Sequence, residues 1–274
     1  MVVIELVIAS SVVGGFILAL IGYYISRLGL STVTFSAAHA ALAGLAISAI
    51  LNINSYILPI LLTLSLGLVL GTALTRVSTE VMNNLSMMLF TLFNSTALIA
   101  IYLSNTVVLA TTRVGGLLWG SPLAITVDRF TYMVVLTGIF ITYLILFKSR
   151  LDAIVFDKRL AEAEGINTKL HSTVVIIFMC FAVVLMLEVV GGFLVFSLIY
   201  IPYIASVIIT SRADLQLIIS NVFGATLTPI GVILSLLYDI PIGSTIALTI
   251  SSATITTYII KNSIRYFRNL RSLS

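Results

Sequence analysis

Long uncharged apolar runs alternate along the chain with short polar joints, and most runs extend for 18 residues or more before a charge or a Gly/Pro cluster ends them. A run of about 20 residues rising 1.5 Å each crosses a hydrocarbon core of about 30 Å. This pattern predicts spans at 4–26, 31–52, 57–75, 82–103, 130–148, 170–189, 193–210, 215–236 and 243–261. The stretch 170–210 is too long for one helix and contains Gly191 and Gly192, so it is divided there. If that division is a re-entrant break, the span count is eight rather than nine. The reading is an all-α polytopic bundle, a single transmembrane domain over 1–274.

Composition strengthens this picture. Of 274 residues, 60% are hydrophobic and 9% charged, against about 25% charged in soluble domains. The net charge of +4 is a topology signal. Of the 14 Lys and Arg residues, only Arg113 and Arg129 fall on one side of the nine-span scheme. The side holding the rest is therefore cytoplasmic, with the C-terminus on it and the N-terminus outside. Glu5 and the absence of a basic n-region argue against a cleaved leader. No soluble basic face exists for nucleic acid. Cys180 lies mid-span, so no internal disulfide is expected.

Three connections are long or structured enough to matter. The outer segment 104–129 carries Gly115, Gly116, Trp119, Gly120 and Pro122, which predict either a short interfacial helix or an irregular loop with an aromatic anchor. The stretch 149–169 is the densest charged patch. In it Asp157 suits an N-cap, residues 158–164 are good helix formers, and Gly165 suits a left-handed C′ position. Two turns are unstable alone in water, so this helix must dock. It either packs on its own bundle or presents Leu160, Ala161 and Ile166 to a soluble partner. The turn 238–244 is tightened by Pro241 and Gly243, and Ser244 is positioned to cap the last span.

Polar groups within spans require reasons. His39 lies in the second span with Phe35 one turn before it and Ala43 and Ala46 on the same face, small neighbours that leave room around the imidazole. Ser36, Ala40 and Gly44 form an adjoining stripe for close helix contact. His39 and Ser36 therefore line a ligand pathway, or His39 hydrogen-bonds across a helix seam. Glu188 reads as an interfacial or vestibule acid, and Asn94, Ser95, Thr96 and Asn221 as interhelical hydrogen bonders. No phosphate-binding GxxxxGK[ST] loop, HExxH or GxSxG occurs. The chain hydrolyses no nucleotide and holds no cofactor of its own on this reading. It reads as a channel or transporter subunit served by a partner.

Four segments together resemble the zinc/manganese-type ABC importer permeases. They are 27–44 with Arg27, His39 and Gly44; 156–166, reading FDKRLAEAEGI; 189–202 with Gly191, Ser197 and Pro202; and 238–244, reading YDIPIGS. The resemblance implies a type II-like ABC importer permease. It further implies a homodimer in a prokaryotic cell membrane, two copies of a separate cytoplasmic ATPase, and an extracellular or periplasmic metal-binding protein. It makes 157–166 the coupling helix, with Asp157, Leu160, Ala161, Gly165 and Ile166 as its working residues, and His39 a contact for a transported Zn, Mn or Fe ion. The family commonly carries an Asp four residues before that His, where this chain has Phe35. The alternatives are a permease for a metal chelate or other small solute, and a stand-alone secondary carrier. The carrier would need coupling-ion acids within the bundle.

Overall fold

The computed structural model describes residues 2–53, 56–73, 77–106, 120, 125–191 and 195–271. Among them the chain forms ten helices: α1 (Val2–Arg27), α2 (Ser31–Leu51), α3 (Ile57–Ala73), α4 (Thr79–Thr106), α5 (Val127–Phe156), α6 (Lys158–Ala163), α7 (Thr168–Val190), α8 (Val195–Ile209), α9 (Ala213–Tyr238) and α10 (Ile242–Arg271). Seven are long and apolar enough to cross a membrane, and α3 and α8 are shorter apolar helices. All nine coincide with the apolar runs of the sequence. The tenth, α6, is the short helix expected at the charged patch.

The helices form two groups. In one, α2 packs against α3 and α4; in the other, α1 packs against α8 and α9, with α10 closing on α8 and α9. The third component, α7, touches α1, α2, α3 and α5 and joins the groups. Such close packing needs small residues, because lipid tails are as apolar as the helices they would otherwise touch. At Gly15 an added Cβ would lie 2.2 Å from the Gly224 carbonyl oxygen, and at Gly22 only 1.9 Å from that of Ile199. These glycines bring α1 into backbone contact with α9 and α8. The small-residue stripe of α2 behaves as expected, since Ser36 meets α4 and Gly44 sits against Pro59 of α3.

The structure alters several local expectations. Helix α5 continues to Phe156, eight residues past the span read from its apolar run, after a kink where Phe147 has φ −119° and ψ 16°. The Lys148–Asp152 ion pair at 2.6 Å has i,i+4 spacing and supports this exposed extension. Ser244 does not cap the last helix. It lies inside the first turn of α10, and its hydroxyl donates back to the Pro241 carbonyl, as does that of Thr245. Helix α10 runs ten residues beyond 261.

The break at Gly191 lies deeper than a loop between two full spans would. Gly191, with φ 92°, ends α7 and donates its N–H to the Leu187 carbonyl at 2.7 Å. Met186 packs on Gly14, whereas Ile199 packs on Gly22, eight residues or about 12 Å further along α1. Helix α8 therefore starts inside the bundle and covers only the half nearer Arg27. Fifteen residues reach about 22 Å, too short for a full crossing. The C-terminal end of α8 is met by Lys261 of α10, whose ammonium donates to the Ile208 carbonyl. Most of the segment 104–129, including Trp119 and Pro122, lies outside the described residues, as do Gly192 and the Glu188 side chain.

Candidate functional site

Helices α2 and α4 run parallel in fixed register. The Thr32 hydroxyl donates to Asn83 Oδ1 at 2.5 Å, Ser36 donates to the Ser86 carbonyl, and the rings of His39 and Phe90 meet edge-to-face with centroids 4.6 Å apart. These pairs keep an offset of 50 or 51 residues. From the second helix group, α8 brings Phe196 to 4.5 Å from the Phe35 ring centroid and 6.5 Å from that of His39. His39 thus lies at the seam between the two groups, on the faces of α2, α4 and α8. It is 2% exposed.

The surroundings of His39 differ from those read off helical spacing. Ala43 and Ala46 are small, but the volume around the imidazole is taken by rings from two other helices. Periodicity along α2 cannot report Phe90 or Phe196, because they reach the site through tertiary packing. Phe35 occupies its place in a ring cluster with Phe90, Phe196 and Tyr200. His39 Nδ1 lies 2.9 Å from the Phe35 carbonyl oxygen. When Nδ1–H donates there, the neutral ring carries its lone pair on Nε2, the atom that a metal ion would meet.

Ser36, the other expected pathway residue, is fully buried and bonded into the α2–α4 seam. It fixes the register that sets His39 against Phe90. The same register places Asn94 one turn beyond Phe90, level with Ala43 and Gly44. Its Oδ1 is shielded from solvent and has no hydrogen-bond partner among the described residues. Among the described residues no three His, Cys, Asp or Glu side chains come together as a metal cage. Among the described residues the seam holds one buried imidazole amid aromatic faces, with the Asn94 amide one turn further along α4.

The second feature is the turn around α6. Asp157 ends α5 and begins α6, its Oδ1 accepting from Arg159 N at 2.8 Å and Leu160 N at 3.1 Å. At the other end Gly165 has φ 82°. Its N–H donates to the Glu162 carbonyl at 3.1 Å, and Ile166 N–H to that of Ala161 at 3.0 Å, the paired bonds of a Schellman motif. Thr168 Oγ1 donates to Glu162 Oε1 at 2.5 Å, and Asn167 Oδ1 caps α7 through Leu170 N at 3.0 Å. Helix α6 is therefore held at both ends by α5 and α7. Ala161 is 1% exposed and anchors α6 inward, so it is not displayed as the sequence reading had it. Leu160 is 52% exposed, and Phe156, missed among the working residues, is 82% exposed.

Sequence reading also missed His171. It is buried at the foot of α7, where the Tyr143 hydroxyl hydrogen-bonds its Nδ1 at 2.6 Å and the ring of the kink residue Phe147 lies 5.2 Å away, tilted by 52°. This contact ties α5 to α7 beside α6. No spacing signal links residues 143 and 171.

Comparison with known proteins places this architecture. The manganese transport system membrane protein MntC of Listeria monocytogenes is 24% identical over 240 residues, covering 87% of this chain and 84% of that protein. The manganese import system permease protein ScaB of Streptococcus gordonii is 24% identical over 260 residues, covering 94% and 91%. Among solved structures, PsaBC from Streptococcus pneumoniae in complex with Fab matches with a TM-score of 0.79 at 20% identity, over 96% of this chain and 94% of that one. An inward-facing protein described as a metal-chelate type ABC transporter matches at 0.73 and 17% identity, over 92% and 84%. At such identity the two structures attest the fold alone. Residues 2–261 match the ABC 3 transport family, and the chain belongs to that family.

Proposed function

We propose that this chain is the membrane permease subunit of an ATP-driven importer whose cargo is a divalent transition metal ion, with manganese first among the candidates. The observation that carries the reading is the α6 turn, a two-ended rigid element displaying Phe156 and Leu160 in a chain of this family. Exposed large apolar side chains on a charged turn are the composition of a protein-docking patch. ATP hydrolysis belongs to a separate ATPase chain, and two permease copies form the pathway. The side of α6 and the C-terminus is cytoplasmic, by the distribution of basic residues.

The mechanism follows from how α6 is mounted. Displacement of α6 by a docked ATPase passes to α5 through Asp157 and to α7 through Asn167 and the Glu162–Thr168 bond. Helix α7 is packed against both groups, so its movement shifts one group against the other. His39 lies on that seam, and its exposure changes with the shift. A site built on the His39 imidazole, with no cage of three His, Cys, Asp or Glu among the described residues, holds a hard divalent ion weakly, which suits transit rather than storage. The aromatic surround favours one second reading, a chelated metal whose organic ligand contacts Phe35, Phe90 and Phe196.

His39→Ala is expected to reduce manganese uptake by about tenfold, the equivalent of about 1.4 kcal/mol, at saturating binding protein in proteoliposomes. Basal ATPase activity of the assembled complex should stay within about twofold. Phe35→Asp should shift the ratio of manganese to zinc transported, because a carboxylate one turn from His39 adds a hard oxygen ligand. If both variants carry the same ions at wild-type rates, free-metal passage at His39 is wrong and the chelate reading takes its place.

Orientation has a separate test. In a Cys180→Ser background, Asp239→Cys should react with an impermeant maleimide on intact cells, and Glu164→Cys only after permeabilisation. The opposite pattern would reverse the topology.

A further inference from the structure

We infer that a slot between α1, α5 and α9 is a binding site for phosphatidylethanolamine from the leaflet on the α6 side. Two cavities make up the slot. One, of about 490 Å³, is walled by apolar side chains that include Phe16, Leu20, Leu144 and Val222. The other, of about 430 Å³, carries Arg27, Lys148, Asp152, Glu164 and Asp214. Lys148 and Leu217 line both, so the apolar part passes directly into the charged part. From Phe16 to Arg27 the slot follows α1 for about 16 Å, close to the depth of one leaflet of a ~30 Å core. Ile145, Ile218 and Val222 are more than half exposed along its mouth, as on a face open to acyl chains.

The charges select the headgroup. Lys148 is neutralised by Asp152 at 2.6 Å. Arg27 lines the charged cavity, where its guanidinium is placed to receive a phosphate, the anion its fork geometry suits. Glu164 and Asp214 form no ion pair among the described residues. They can accept from an ammonium, which offers three N–H donors. A phosphocholine headgroup has no N–H donor for them, and the net negative headgroup of phosphatidylglycerol brings no ammonium to meet them. A phosphoethanolamine carries the matching pair of charges. Phe156, Leu160 and Ala161 line the same cleft, so the headgroup rests against the α6 turn. Naming the leaflet rests on the orientation proposed above, whereas lipid retention is measured without reference to it or to transport.

The test uses the purified complex, exchanged into nanodiscs of equal parts phosphatidylethanolamine, phosphatidylcholine and phosphatidylglycerol with identical acyl chains. After transfer to detergent, native mass spectrometry should show phosphatidylethanolamine retained at least about fivefold over the other two, a difference of about 1 kcal/mol. Arg27→Gln removes the phosphate contact, Leu217→Trp fills the junction, and each should abolish that preference. A second readout needs no buried substitution. Ile145→Trp, at a position 74% exposed, in a Trp119→Phe background should be quenched more by dibrominated phosphatidylethanolamine than by the dibrominated choline lipid. Equal retention of the three lipids, preference for phosphatidylglycerol, retention unchanged in both variants, or equal quenching would each overturn the site.

Discussion

Gly165→Pro is expected to abolish transport and co-purification of the ATPase while leaving the helical spans inserted. Gly165 sits at φ 82° and donates its N–H to Glu162. Proline locks φ near −65° and has no N–H, so the Schellman motif is lost together with the mount of α6 on α7. An incompatible φ and a lost N–H bond together cost more than about 1 kcal/mol, and a six-residue helix is unstable without such a mount. An added Cβ at Gly165 would meet nothing within 4 Å among the described residues, so the failure is conformational rather than steric. Gly165→Asn, which tolerates the left-handed region, should therefore keep most of the activity. Wild-type ATPase recovery with the proline variant would exclude α6 as the docking element. A loss as complete with asparagine as with proline would exclude the backbone explanation.

The second large effect is expected in the membrane interior. Gly22→Leu should prevent stable folding, and Gly22→Ala should lower stability by about 1–3 kcal/mol, the usual cost of overpacking. The Ile199 carbonyl stands 1.9 Å from where a Cβ would be, and backbone cannot move aside as a flexible side chain can. To make room, α8 must shift, and α8 carries Phe196 against Phe35 and His39. The alanine variant should therefore lose transport as well as stability. Gly138→Ala is the control. A Cβ there meets nothing within 4 Å among the described residues, so in α5 it should be neutral or stabilising by up to about 1 kcal/mol. Thermal unfolding of the purified permeases measures both, and equal behaviour of the two alanine variants would refute the close α1–α8 contact.

Span positions and the α6 turn were legible in the residues, because both are local. An apolar run must be long to cross, and an Asp N-cap, a short run of helix formers and a Gly at C′ are adjacent in the chain. His39 could be singled out because an ionisable group in an apolar run is costly wherever it lies. Its partners could not. Phe90 and Phe196 come from helices 51 and 157 residues away in sequence, and only the parallel register of α2 with α4 and the depth of α8 bring them together.

The half-length of α8 shows the same division. Gly191 and Gly192 announce a break, but a break looks alike at a membrane surface and within a bundle. Its depth is decided by the backbone contact of Ile199 with Gly22 and by Lys261 meeting the Ile208 carbonyl. The sequence by itself determined that this chain lives in lipid, where its helices run and where α6 begins and ends, since hydropathy and capping act over a few neighbouring residues. Tertiary structure alone decided that Ala161 anchors α6 while Phe156 and Leu160 face outward, that Ser36 holds a register, and that His39 is wrapped in rings. Those outcomes depend on which helix faces meet, and packing between distant segments sets that.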